Sequence, residues 1–181
     1  RDSSKTLHKE LFGLAIPSNP DTKSRAEVTS ILRSANEFMT RKAFDYLNEH
    51  PFSGNKAKSL FCKKTDVLVT TVFELVNYRF HPLPSRYKSQ SLSLVAIGGY
   101  GRGEMAPYSD VDLLFLSPHR QTGWAKSVIE SILYILWDLK FKVGHSSRTI
   151  SDCVQLGSDD LTIRTSMLEK RYLSGNKDIF K

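Results

Sequence analysis

Gly98-Gly99-Tyr100-Gly101-Arg102-Gly103-Glu104-Met105-Ala106-Pro107-Tyr108-Ser109-Asp110-Val111-Asp112-Leu113-Leu114 decides the fold of this 181-residue chain. Just before it, Ser91 to Ile97 is a short apolar run rich in β-formers, so one strand ends in the glycine pair. A second such run, Val111 to Leu116, starts after Asp110. Alternate residues of a strand face the same side, so Asp110 and Asp112 point together. Two like charges at the mouth of an apolar strand repel, and more strongly as the local dielectric falls. A hard divalent cation relieves that repulsion best, and Mg²⁺ takes a few carboxylates plus substrate phosphates. The bland alternative is that one or both aspartates cap the turn Pro107-Tyr108-Ser109.

The glycines shift the balance. Gly98 and Gly99 let the backbone approach a ligand closely and present N–H groups to phosphate oxygens. Arg102 adds a permanent fork of donors suited to phosphate. Ser109, just before Asp110, is a further candidate phosphate donor, as is Arg148 further on. No Gly-Lys-Ser/Thr follows, so this is not a Walker loop, and the glycine spacing does not match a dinucleotide fingerprint. A Gly-rich loop alone reads as a tight turn. Strand, Gly-Gly, ten residues and then Asp-x-Asp on a second strand is much more specific than either half.

Outward from this stretch the pattern is helical on both sides. Residues 1 to about 20 read as an arm with little periodicity. Asn19-Pro20 reads as a helix start, with helical spacing through Val28, Ile31, Leu32, Ala35, Phe38 and Met39, ending near Asn48 before His50-Pro51. Phe52 to Lys58 reads as a loop. A second helix runs through Leu60, Val67, Leu68, Val72 and Val76 until Pro82 and Pro84. On the other side, Thr122 to Leu139 is helical and Phe141 to Thr149 is a third strand. Ser151 is a cap for a short helix. A last helix starts at Ser158-Asp159-Asp160, with Leu161, Thr165, Leu168 and Tyr172 on one face and Gly175 past its end. The fold class is α+β: a small mixed β-sheet with flanking helices and an N-terminal helical hairpin. The expected division is 1–88 for arm and hairpin, and 89–181 for the core and the start of a following helical region.

Composition is that of a globular protein, with 40% hydrophobic and 25% charged residues, which excludes a disordered chain, a collagen and a coiled-coil rod. No apolar run approaches the roughly 20 residues that span a bilayer, and Arg1 to Glu10 lacks a signal-peptide h-region. Cys62 and Cys153 are too few for a disulfide framework and read as small buried apolar residues, so a reducing, cytoplasmic setting is expected. The chain starts without Met and ends on Asp178-Ile179-Phe180-Lys181, so a piece of a longer protein is expected. The net charge is +7, but residues 1–88 hold 15 Lys+Arg against 9 Asp+Glu while 89–181 hold 11 against 10. The excess therefore sits on the hairpin, outside the motif. No basic run interleaved with aromatics supports nucleic acid as the partner.

The motif resembles the polymerase-beta-type nucleotidyltransferase superfamily. Within it, the string from Gly98 to Leu114 looks most like the family of bacterial PII uridylyltransferase/uridylyl-removing enzymes. Leu136-Trp137-Asp138, Val143-Gly144-His145-Ser146-Ser147-Arg148-Thr149 and Leu168-Glu169-Lys170-Arg171-Tyr172-Leu173-Ser174-Gly175 share that likeness. It covers residues 90–176 well and the N-terminal helices weakly. The resemblance implies that Gly98 and Gly99 hold the triphosphate of UTP and that Asp110 and Asp112 bind Mg²⁺ as catalytic residues. It implies transfer of UMP to a tyrosine of the small nitrogen-signalling protein PII. Family members also carry an HD-type hydrolase and glutamine-sensing ACT domains. The chain is too short for these and has no adjacent His-Asp pair, so only the transferase module is expected, with glutamine acting solely through the absent domains.

One departure is visible. Many superfamily members supply a third carboxylate from a later strand, but Phe141 to Thr149 has none and offers His145 instead. Asp138, Asp152 and Asp160 lie nearby without an assigned place. A phenol is far more acidic than a sugar hydroxyl, so its proton needs less help to leave. Other readings stay open: another acceptor or nucleotide, as in protein adenylylation, antibiotic modification or RNA end addition, or a nucleotide-binding regulatory module without catalysis.

Overall fold

A computed structural model describes residues 3–83 and 91–181. Pro84 and the expected boundary at 88/89 lie outside the described residues. Four strands form one mixed sheet in the order β3-β2-β1-β4. They are β1 (Ser93–Ala96), β2 (Val111–Ser117), β3 (Val143–Thr149) and β4 (Arg171–Gly175). β1 runs antiparallel to both β2 and β4, while β2 and β3 are parallel. A parallel pair needs a crossover. Here it is the helix Gly123–Asp138, whose N-cap Thr122 accepts from the Ala125 amide. The α+β class and the small mixed sheet expected from the sequence are what the chain forms.

Strand β2 shows why the sheet closes. Val111, Leu113 and Phe115 face the helical side and join the main apolar cluster, with Leu94, Ala96, Val128 and Ile132. Leu114 and Leu116 face the other way and cluster with Val95, against Cys153, Ile179 and Phe180. Both faces are covered, so this strand reads as an unbroken apolar run. Each such side chain contributes roughly 1.5–3 kcal/mol when fully buried.

The helical side is α1 (Ser3–Gly13), α2 (Thr22–Glu49) and α3 (Gly54–Leu75), with α3 continuing into a π-helical turn over Val76–Phe80. The crossover helix is α5, after the single turn α4 (Gly98–Gly101). α1 is a helix in the segment expected as an arm with little periodicity. Leu7 and Leu11 stand four apart on one face and are almost completely buried, at 3% and 0% exposure, so packing rather than propensity holds that helix. α2 starts later than expected: Asp21, not Asn19, caps it by accepting from Ser24 N at 2.8 Å, while Asn19 takes a positive φ of 55°. The expected loop at 52–58 is shorter, because α3 begins at Gly54.

On the far face lie α6 (Ile150–Asp159), α7 (Leu161–Leu168) and the short α8 (Lys177–Phe180). Thr149, not Ser151, caps α6 in a capping box with Asp152. The last expected helix stops at Leu168, and Tyr172 and Gly175 belong instead to β4, which pairs with β1. No helix among the described residues is long and apolar enough to cross a membrane.

Gly101 shows how tightly the turn after β1 is packed. A Cβ there would lie 2.2 Å from the Glu169 carbonyl oxygen and 3.0 Å from that of Ala96. Both obstacles are backbone, so neither can swing aside. Overpacking of this kind costs about 3 kcal/mol. Gly101→Ala should therefore lower the unfolding temperature by roughly 6–12 °C in a chain of this size, as read by calorimetry.

Candidate active site

The end of β1 brings the glycine pair to the aspartates. The Ile97 amide donates to the Asp112 carbonyl at 3.1 Å, and pairing stops there. Gly98 follows with φ of +58°, a left-handed conformation that suits glycine. A Cβ on Gly98 would sit 3.2 Å from Asp112 Oδ2. On the other side Gly144 is the register partner of Asp112 in β3, and a Cβ there would lie 2.4 Å from Oδ1. The Asp112 carboxylate thus lies between two backbones that only glycine lets come so near.

Asp112 is half-buried and Asp110 exposed. Among the described residues no cation pairs with either carboxylate. Burial first, and the charge of Asp110 second, push the Asp112 carboxyl above its usual range. The turn before Asp110 is closed by the Ser109 hydroxyl, which accepts from Ala106 N, and not by either aspartate. The aspartates' donor set, two carboxylates with mutual repulsion and open coordination, fits a hard divalent cation that also binds phosphates. Among the described residues no group of three His, Cys, Asp or Glu side chains comes together.

The raised value has a definite sign. A carboxyl whose folded pKa exceeds its unfolded one is penalised when charged, so its contribution turns unfavourable as pH rises through the folded pKa. The stability advantage of Asp112→Asn over wild type should grow as pH rises above about 4 and then level off. Unfolding temperatures of both proteins across pH 4 to 8, without divalent cations, test this.

The turn carrying the glycines is braced from two directions. Arg102 donates from Nε to Glu104 at 2.9 Å and from Nη1 to Glu169 at 2.7 Å. Its Nη2 lies 3.7 Å from where a Gly99 Cβ would stand, so the third nitrogen borders the glycine pair. From below, Arg171 of β4 donates to the carbonyls of Gly101 at 3.3 Å and Tyr100 at 3.0 Å. The same guanidinium makes a two-pronged pair with Asp66 of α3, at 2.8 and 3.0 Å. Its planar fork ties α3, β4 and the turn together, which a lysine would not do. The Tyr100 ring is buried beneath, 5.2 Å from the Arg171 guanidinium.

Other residues singled out in the sequence fall elsewhere. Ser109 Oγ accepts from Ala106 N at 2.9 Å and so closes the turn before Asp110. Arg148 pairs in register with Leu116, four residues up the sheet from the Asp112–Gly144 level, about 13 Å away. It is not brought to the aspartates. His145 pairs with Leu113 on the opposite face and meets the Trp137 ring edge-on at 6.5 Å. Asp152 is engaged in the capping box of α6, accepting from Thr149 N, and Asp160 caps α7. The sequence reading missed Gly144, Glu169, Arg171 and Asp66. A glycine inside a strand was the available signal for Gly144, since it often marks a close approach.

A nucleotidyltransferase domain model matches residues 83–172. The chain is 48% identical over 152 residues to a bifunctional uridylyltransferase/uridylyl-removing enzyme of Ruegeria pomeroyi, covering 84% of this chain and 17% of that protein. Identity is 56% over 112 residues with the enzyme of that name from Cereibacter sphaeroides, covering 62% of this chain and 12% of the relative. With that from Erythrobacter litoralis it is 40% over 166 residues, covering 92% and 18%. The chain thus spans less than a fifth of the length of these relatives.

Proposed function

Residues 83–172 of this chain belong to the nucleotidyltransferase domain family, and from that premise we propose that the chain transfers UMP from UTP to a tyrosine of the protein PII. The observation that carries the reading is Asp112 held between Gly98 and Gly144, beside Asp110 and free of any cationic partner among the described residues. The names of the relatives supply uridylyl transfer as the reaction class. PII as acceptor and the tyrosine as nucleophile rest on the resemblance of the motif. Two free cysteines support a cytoplasmic setting.

In this reaction the tyrosine oxygen bonds to the α-phosphorus of UTP. The bond from that phosphorus to the bridging oxygen breaks, pyrophosphate leaves, and the phenol proton passes to solvent. Asp110 and Asp112 would hold Mg²⁺, which offsets charge on the entering and leaving oxygens. The chain's own contribution is placement. Gly98 and Gly99 let the triphosphate approach the start of α4, where the Gly98, Gly99 and Tyr100 amides come before the first intrahelical bond, which Gly101 donates to the Ile97 carbonyl. Arg102, pinned by Glu104 and Glu169, keeps its remaining nitrogen beside that turn. Arg171 keeps the turn itself from shifting.

Labelled UTP, PII and Mg²⁺ incubated with the chain test the reading, with ATP as the competing nucleotide. Label on PII from UTP supports it. Tighter binding of ATP than of UTP, or labelling that survives Asp110→Asn, overturns it. A second reading is favoured by the lack of a third acidic ligand among the described residues: nucleotide binding without transfer. It predicts UTP binding with no label on PII.

A further inference from the structure

A cleft of about 220 Å³ opens between α2, α3 and the link from α5 to β3. Gly98, Gly99, Asp110 and Asp112 do not line it, although one wall is the segment Met105 to Ser109 that leads into Asp110. At this cleft Lys64 Nζ donates to Asn36 Oδ1 at 3.0 Å and to Thr40 Oγ1 at 3.2 Å. Asn36 is fixed in turn, because its Nδ2 donates to the Leu139 carbonyl at 3.5 Å and its Oδ1 accepts from Thr40. An ammonium has three donors, and both acceptors here are neutral. Lys64 also stands 5.2 Å from the centre of the Phe141 ring.

The charge around the cleft is one-sided. Lys64, Lys140 and Lys142 line it, and among the described residues no Asp or Glu does. Four rings, Phe44, Phe61, Tyr108 and Phe141, form much of the remaining wall. Burial without a compensating carboxylate lowers the Lys64 ammonium to about 8. Desolvated cations are ordinarily paired, and here no carboxylate among the described residues lines the cleft to pair with Lys64. The volume corresponds to about seven waters, well below a drug-sized site. Flat ring faces favour a flat guest.

We propose that this cleft is a binding site for a small aromatic anion, a flat ring bearing one carboxylate or phosphate group, seated with its charge on Lys64. The site is distinct from the aspartate pair and stands whether or not the uridylyl reading does. Its guest packs against Tyr108, which takes a positive φ of 66° in the turn before Asp110.

Calorimetric titration of the whole chain with benzoate, phenyl phosphate, benzamide and inorganic phosphate tests it. Either aromatic anion should bind at least about tenfold more tightly than benzamide, since charge-assisted bonds exceed neutral ones by that order. Whichever binds better identifies the headgroup. Lys64→Met should remove that preference, and its unfolding temperature should not fall, because a desolvated cation is replaced by an apolar chain of similar length. Equal binding of benzamide, or inorganic phosphate as tight as phenyl phosphate, overturns the proposal. If Lys64→Met does not fold, proton uptake by the wild type decides. The other titratable groups on the cleft are Tyr108, Lys140 and Lys142, with Lys63 and Asp66 on Lys64's own helix. A bound anion favours the charged lysine, so titrations at several pH values between about 7 and 10 in buffers of different ionisation enthalpy should show net proton uptake within that range. Binding with no uptake overturns the assignment to Lys64.

Discussion

Asp112→Asn should lower UMP transfer by about a thousandfold or more while leaving the protein at least as stable as wild type. The activity loss follows from the charge. A metal-bound carboxylate pair contributes several kcal/mol to phosphoryl transfer, and about 4 kcal/mol corresponds to a factor of roughly 10³. Asparagine keeps the shape of the side chain, so it still fits between Gly98 and Gly144. It removes the negative charge that burial and Asp110 penalise, so the fold loses nothing electrostatically. The variant separates function from folding in a second way. Mg²⁺ at about ten times its dissociation constant should stabilise the wild type by roughly 1.4 kcal/mol, about 3–6 °C in a chain of this length. That shift should vanish in Asp112→Asn. Transfer within tenfold of wild type, or an unchanged Mg²⁺ response, would refute the role given to Asp112.

What the sequence disclosed and what it hid have the same physical cause. β1, β2 and the glycine turn were legible because their signals are local: a β-rich apolar run, glycines and an Asp-x-Asp period. β4 was not. Leu161, Thr165, Leu168 and Tyr172 keep helical spacing, yet α7 ends at Leu168 because Arg171 to Gly175 find backbone partners on β1. Nothing in that local pattern records an edge waiting nearly eighty residues earlier. α1 was hidden for the same reason, since Leu7 and Leu11 gain their burial only from packing against distant chain. At the site, the aspartates and glycines were visible as residue types. The Arg171–Asp66 clamp was not, because its members are 105 positions apart. Arg148 is a candidate phosphate ligand by residue type alone, and the register puts it at the wrong level of the sheet.

Gly144 is where that register becomes a functional claim, and Gly144→Ala should cost transfer about a hundredfold with little loss of stability. The new Cβ would stand 2.4 Å from Asp112 Oδ1. That oxygen ends a short side chain with two torsions, so it rotates away instead of forcing the strands apart. The backbone at 144 is not left-handed, and alanine suits a strand better than glycine by roughly 0.5–1 kcal/mol, which offsets part of the crowding. A displacement near 1 Å of a catalytic group costs about 10² in rate. Gly98→Ala would be a poorer probe, because its φ of +58° adds about 1–2 kcal/mol of backbone strain to the contact with Asp112. The decisive measurement is a double-mutant cycle. If alanine at 144 acts by moving the Asp112 charge, it should do almost nothing further in the Asp112→Asn background, where no charge is left to move. A full hundredfold loss on top of Asp112→Asn would mean that Gly144 serves the reaction by another route, such as room for the nucleotide itself.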